Sequence, residues 1–479
     1  MPKKQKSWKE RQSERQKKQQ GSQKDHQTQR EREAKRKPRH WPVCKILVVV
    51  SVIALIVGVY ALWQSSIKPF TIIYIRADGT VDPSTASILN MENNYTFTAD
   101  IYGSLVIEKD NIVVDGANYL LQGQGGTSSK GADLSGRSNV TITNMRLKEF
   151  GYGLYLYSAS NNVLSQNDLT SNSYGILLDS SSDNTISGNN IANNHYALSL
   201  TSSSGNTIHK NSITSNQYSV SLYYSSSNII SENNIANSDG AIGLSYSLNN
   251  NITANNVASN QYSISITYES ASNSISGNSI ANSDGAILIA TSNSNSVSGN
   301  QMNSNQEGVR LEDSSGNSIS GNTIANSDDT AIGLYQSSGN RITQNNLESN
   351  VHSISLTDFS GDNIISGNTI ITSSYAIGLY QASDNILTDN YLAANEYGIQ
   401  LIYSSDNSVF HNNFYFNTYQ GFSLDSVNAW DDGYPSGGNY WSNYQDVNPD
   451  AEELDSSGIW NTPYVIDENN KDNYPLMNS

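Results

Sequence analysis

Between Asn162 and Leu424 the apolar side chains follow no helical stripe. They sit singly at +2 and +7, and as an alternating pair at +14 and +16, of a unit that returns every 22 or 23 residues. The unit opens on Asn162, Asn184, Asn206, Asn228, Asn250, Asn273, Asn295, Asn317, Asn340, Asn363, Asn385 and Asn407. In the unit from Asn184 the apolar sites are Ile186, Ile191, Leu198 and Leu200. Isolated or period-two apolar sites between Ser, Asn and Gly turns predict three short strands per unit, whereas helical solenoids need longer periods and an i, i+3, i+4 pattern. The Leu-x-x-Leu-x-Leu pattern of a leucine-rich repeat is absent. The expected fold is all-β: a right-handed parallel β-helix of about twelve or more coils, stacked at about 4.8 Å so that equal positions form ladders.

The ladders separate scaffold from candidate surface. Asn at +5, from Asn167 and Asn189 to Asn390 and Asn412, occurs in every unit and reads as structural, at a turn that tolerates left-handed backbone and stacks amide on amide. At +12, Tyr174, Tyr196, Tyr218, Tyr262, Tyr375, Tyr397 and Tyr419 form a stripe of packing aromatics, a residue type that also meets the C–H faces of sugar rings. At +11 the middle units alternate Gln217, Asp239, Gln261, Asp284, Gln306 and Asp328, a two-coil super-repeat. Carboxylates two coils apart stand about 9.6 Å from one another, near the upper separation of inverting glycosidase pairs. Any duplicated unit with Asp in its turn has the same spacing, and no apolar surroundings that would raise an acid's pKa are evident, so no catalytic residue is assigned. The outer positions of the last strand add Asp179, Tyr223, Tyr380, Arg310 with Glu312, and Tyr335. The candidate substrate-binding set is the Gln/Asp stripe with Arg310, Glu312 and Tyr335, groups suited to polysaccharide hydroxyls and ring faces.

The flanks divide the chain further. Residues 1–41 are rich in Lys, Arg and Gln and read as a disordered cytoplasmic tail. Residues 43–64 read as a signal-anchor helix, because Ile46–Trp63 is an uncharged run about 27 Å long as a helix, enough to cross a bilayer core. Its basic N-terminal flank places the tail inside and the body outside a cell membrane. Residues 65–136 read as an N-terminal β cap with the first coils, 137–427 as the repeats and 428–479 as a C-terminal cap. Open coil edges need such caps.

Charge sharpens this division. Residues 1–45 hold 16 of the 27 Lys+Arg and 5 of the 44 Asp+Glu, so the head carries +11 and the remainder −28. The body should repel nucleic acid and suit neutral polymers or cations. The one cysteine, Cys44, excludes an intramolecular disulfide framework and a thiolate cluster. No cofactor is called for. Calcium is a candidate only at Asp446, Asn448 and Asp450, where Ala451 replaces the turn glycine and Ser457 the bidentate Glu of a calcium loop. Asn94, Asn139 and Asn251 lie in glycosylation sequons. The pattern leaves the oligomeric state open.

The phrases NTISGNNI, NSISGNSI and NIISGNTI, the entry YIRADGTVDPSTASI, and the endings NAWDDGYPSGGNYWSNY and TPYVIDENNKDNYPLM carry a resemblance. Over about residues 70–479 the chain resembles the NosD-type, carbohydrate-binding and sugar-hydrolase (CASH) class of β-helix proteins, many of them archaeal surface proteins. The resemblance implies a parallel β-helix and one of three roles: copper-site maturation, polysaccharide binding or cleavage, or surface-layer structure. Copper handling favours clustered soft donors, whereas His195, His209, His352 and His411 are scattered over different coils. Lyases and epimerases on such scaffolds use a local set of carboxylates with a base, yet Lys210, Arg310 and Arg341 are the repeat's only Lys and Arg and lie far apart. The expected role is contact with a polysaccharide or glycoprotein envelope.

Overall fold

The computed structural model describes residues 69–479, together with 52 and 53. The tail 1–41 and all but two residues of the span 43–64 lie outside the described residues. No helix among the described residues is long and apolar enough to cross a membrane.

From Thr71 onward the chain forms a parallel β-helix. In the coil from Asn184 the strands are Thr185–Ser187, Asn190–Ala192 and Tyr196–Thr201, at +1 to +3, +6 to +8 and +12 to +17. Each pairs in parallel with the same strand of the next coil, so Ile186 faces Ile208, Ile191 faces Ile213 and Leu198 faces Val220. The first strands alone make a sheet of sixteen. Ile186, Ile191, Leu198 and Leu200 are fully buried, as are their equivalents in neighbouring coils. The apolar ladders thus form one continuous core, and burying each such side chain is worth about 1.5–3 kcal/mol. Extra residues in 23-residue coils fall at corners, as with Glu269 and Asp329, so strand register is kept.

The corners rest on buried polar ladders. Asn184 accepts the N–H and the side-chain amide of Asn162 on one oxygen, at 3.0 Å each, and passes its own N–H to Asn206. The +5 asparagines repeat this from Asn167 to Asn412. One expectation needs correction: these asparagines do not hold the left-handed backbone. The preceding residue does, as at Gln166, Gly188 and Lys210. The asparagine keeps ordinary backbone geometry, and its carboxamide turns inward to bond the corner's N–H groups, which would otherwise be buried without partners. A third ladder at +10 is all Asn at its ends and alternates Asn and Ser from Asn216 to Asn395, and a serine ladder runs at +19 through Ser181, Ser203 and Ser225.

At the N-terminal end, the antiparallel hairpin Ile88–Met91 with Asn94–Phe97 breaks the parallel pattern. At the other end Phe414, Trp441 and Tyr464 stack at 4.3 and 4.1 Å over the open core. Asn428 and Asn439 terminate two ladders and are bonded in turn by Asn470 and Asp472. Asp472 presses on the Cα of Gly438 so closely that no side chain fits there.

Candidate functional site

The candidate residues lie along one flank, at the outer face and leading corner of the third strands. The +11 residues Gln217, Asp239, Gln261, Asp284, Gln306 and Asp328 are all exposed. Water-exposed carboxylates of this kind lack the apolar surroundings a general acid needs.

The +12 column decides the relief of this flank. Tyr152, Tyr174, Tyr196 and Tyr218 stack with centroids 5.3, 4.8 and 5.0 Å apart, and Tyr375, Tyr397 and Tyr419 with 5.0 and 4.7 Å. His352 continues the second stack on Tyr375 at 4.8 Å. Between the stacks Gly240 stands between Tyr218 and Tyr262, and Gly285 follows Tyr262. Each glycine lets the preceding ring lean over it, since an added Cβ would lie 3.2 or 3.3 Å from that ring.

Three depressions open where the column is interrupted. One, of about 350 Å³, lies among Tyr218, Asp239, Gly240, Gly243, Gln261 and Tyr262. A second, also about 350 Å³, brings Asp284, Gln306, Glu307, Arg310 and Glu312 together beside Tyr262. A third, of about 400 Å³, joins Asp284, Gln306 and Asp328. The structure therefore gathers most of the sequence-derived set into neighbouring hollows. Gln217 and Tyr335 stand outside them, the carbonyl of Gln217 accepting the N–H groups of Asp239 and Gly240.

Arg310 is held on both sides. It donates to Glu307 at 2.9 Å and to Glu312 at 2.7 Å, and its guanidinium lies 4.4 Å above the Tyr335 ring. Burial opposes its charge, but Glu307 and Glu312 outweigh this and hold the proton more firmly than usual. Burial pushes the Tyr335 phenol up, with Arg310 pulling it back. Arg310 and its acids thus satisfy one another.

Elsewhere, Asp446 lies in the short helix Tyr444–Val447, Asn448 follows it, and Asp446 and Asp450 point to solvent. Among the described residues no three of His, Cys, Asp and Glu stand close enough to hold a metal ion. Of the sequons, Asn94 and Asn139 are exposed and Asn251 is half-buried in a first strand.

The sequence reading missed a second aromatic ladder. Tyr224, Tyr246 and Tyr268, at +18 of three successive coils, stack at 4.8 and 5.7 Å, with Tyr223 edge-on to Tyr224 at 4.4 Å. All three hold φ near +50°, uncommon for a bulky side chain. The signal was a tyrosine at one register position in consecutive units.

Fold and surface define a β-helix repeat protein with a polar and aromatic flank. Residues 84–283, 221–373 and 267–446 match the family described as periplasmic copper-binding protein (NosD), and the chain belongs to that family. No curated protein sequence matches the chain. Among solved structures it is similar to the DFA-IIIase of Arthrobacter chlorophenolicus A6 without its lid, at 13% identity over 62% of this chain and 84% of that one, with a TM-score of 0.43. It is likewise similar to a mutant tailspike protein of E. coli bacteriophage HK620, at 11% identity over 65% of this chain and 71% of that one, with a TM-score of 0.45.

The donor set does not fit the copper of the family's description. Met145 and Met302 are sealed in the core, His195 packs edge-on against Tyr196 and Tyr218, and His352 is stacked in the tyrosine column. Copper sites gather His, Met or Cys donors at one point. Among the described residues no three of His, Cys, Asp and Glu come together to hold a metal ion.

Proposed function

We propose that this protein displays its β-helix outside the cytoplasm, anchored by a membrane span at residues 43–64, and binds neutral glycans of the cell envelope through the outer face of its third strands. A place in the wider carbohydrate-binding (CASH) class accords with this reading. The observation that carries it is the run of hollows between Tyr218 and Asp328, in the coils where the tyrosine column is interrupted. Exposed carboxamides and carboxylates there offer donors and acceptors to hydroxyl groups, and tyrosine faces offer surfaces for sugar C–H groups. The body's charge of −28 argues against an acidic polymer as ligand.

The test is a panel of cell-surface glycans presented to the full chain. Saturable binding without new reducing or unsaturated ends is expected. Turnover abolished by Asp284→Asn would replace binding with a polysaccharide-active enzyme, and neither binding nor turnover would leave an architectural role.

A further inference from the structure

The coils from Asn206, Asn228 and Asn250 carry two unusual features at once. On the leading side of their third strands the tyrosine column has a gap, with Gly240 between Tyr218 and Tyr262. On the trailing side stand Tyr223, Tyr224, Tyr246 and Tyr268. Tyr224 is 51% and Tyr268 57% exposed, so the second ladder presents its rings to solvent.

Between the two walls the outward residues at +15 are all small, and at +17 they are small in the second and third coils, Tyr223 holding that position in the first. Ser221, Gly243 and Ser265 pair across the three strands at +15, and Ser245 and Thr267 at +17 join hydroxyls at 3.0 Å. A Cβ on Gly243 would meet nothing within 4 Å, so the floor is open. From +12 to +17 the floor is about 16 Å long at about 3.3 Å per residue, a length that several sugar rings fill.

We infer that this trough, running along the third strands from the Tyr218–Gly240–Tyr262 gap to the Tyr224–Tyr246–Tyr268 wall, is the main glycan-binding subsite and takes a short neutral oligosaccharide. The inference rests on the glycan-binding reading above and fixes where it operates. Two aromatic walls supply the faces that sugar C–H groups pack against, while the hydroxyl floor and the Asp239 and Gln261 side chains supply hydrogen-bonding partners. Asp239 on the rim disfavours a uronate or sulfated occupant. Two walls and a floor of different composition, brought together in the same three coils, are not required by the β-helix, since the other coils place Ser, Thr, Asp or Gln at this corner, apart from Tyr403, which stands between Gln381 and Asp425.

The test uses the full chain and soluble hexasaccharides of cellulose, mannan, chitin and starch type as probes, with affinity read by calorimetry. Gly243→Ile places a strand-compatible side chain in the middle of the floor, where its Cβ meets nothing within 4 Å. Gly378→Ile makes the same change at the same register position of a coil outside the trough, where an added Cβ also meets nothing. Tyr246→Ser removes the middle of the trailing wall. For the probe that binds best, Gly243→Ile and Tyr246→Ser are expected to weaken binding about tenfold or more, with Gly378→Ile unchanged. Wild-type binding that Gly243→Ile leaves intact would overturn the trough while sparing the glycan-binding function. No saturable binding of any probe to the wild-type chain would overturn both.

Discussion

The backbone N–H of Asn439 donates to Asp472 Oδ2 at 2.7 Å, ending a ladder of asparagine carboxamides that runs from Asn167 through every coil of the repeat. The indole N–H of Trp441 reaches the same oxygen at 2.8 Å, and the N–H of Tyr474 reaches Oδ1. One buried carboxyl therefore ties the last rung to the aromatic plug.

This carboxyl gives the cap a pH dependence. Burial pushes Asp472 up to about 7, against the pull of its N–H donors. A folded-state pKa above the unfolded one means that stability is full below the unfolded value, falls as pH rises from about 4 through about 7, and then levels off. Urea unfolding of the full chain at a series of pH values, followed by tryptophan fluorescence, should show this fall. Asp472→Asn places an amide against N–H donors, so it is expected to be less stable and to lose the slope. A wild-type slope that survives in Asp472→Asn would contradict the assignment.

The interior ladders should be costly to break. Asn278 accepts both the N–H and the side-chain amide of Asn255, at 2.9 and 3.0 Å, and is 1% exposed. Asn278→Ala leaves the Asn255 N–H buried without a partner, while the Asn255 side-chain amide keeps the Ile230 and Thr253 carbonyls, and it removes the bonds the Asn278 side chain gives to Ile252 and Asn300, for a loss of about 2–4 kcal/mol. The side chain of Asn190, exposed on a second strand, bonds only Asp168, and Asn190→Ala should change stability by less than about 0.5 kcal/mol. Comparable losses in the two variants, measured by denaturant midpoint, would remove the distinction between ladder and surface asparagines.

A gain of stability is expected at Ser327. Serines at +10 elsewhere pair with a serine of the preceding coil, as Ser238 does with Ser219 at 2.7 Å and Ser283 with Ser263 at 2.9 Å. Asparagines at +10 instead follow Gly or Ala at that place, as Asn194 follows Gly175 and Asn417 follows Gly398. Ser327 follows Gly308, and its hydroxyl is buried without a partner. Ser327→Asn should complete the ladder to Asn305 and raise unfolding stability by about 1 kcal/mol. A destabilised variant would show that Gly308 leaves no room for the carboxamide.

Much of the scaffold was legible because a solenoid converts register into contact. A period of 22 or 23 residues with apolar sites at +2, +7, +14 and +16 fixes three inward strands, and every Ile and Leu of the coil from Asn184 lies where that pattern puts it. The Gln/Asp stripe was legible for the same reason. The left-handed residue before each asparagine was not, because Gln, Lys, Glu and Gly all occupy that corner. The hollows were hidden as well. They arise from what is missing, the ring at Gly240 and the side chain at Gly243, and a pattern search records residues present more readily than side chains absent. Glu307, which holds Arg310 from the +12 column, sits where other coils have tyrosine and carried no signal of its own.

Binding to a neutral ligand has an electrostatic signature. Arg310 is already neutralised by Glu307 and Glu312, and the trough holds no free cation among its lining residues. Raising ionic strength about tenfold should therefore leave glycan affinity within about twofold, because no ion pair forms or breaks on binding. A steep loss of affinity with salt would point to an anionic ligand.

The most direct test of the central claim is saturation-transfer NMR on the full chain with the best-bound hexasaccharide, irradiating the tyrosine ring protons. Glycan binding on tyrosine faces predicts strong transfer to the C–H protons of consecutive sugar rings, and its loss in Gly243→Ile. Binding without transfer from aromatic protons, or transfer undiminished in that variant, would contradict it.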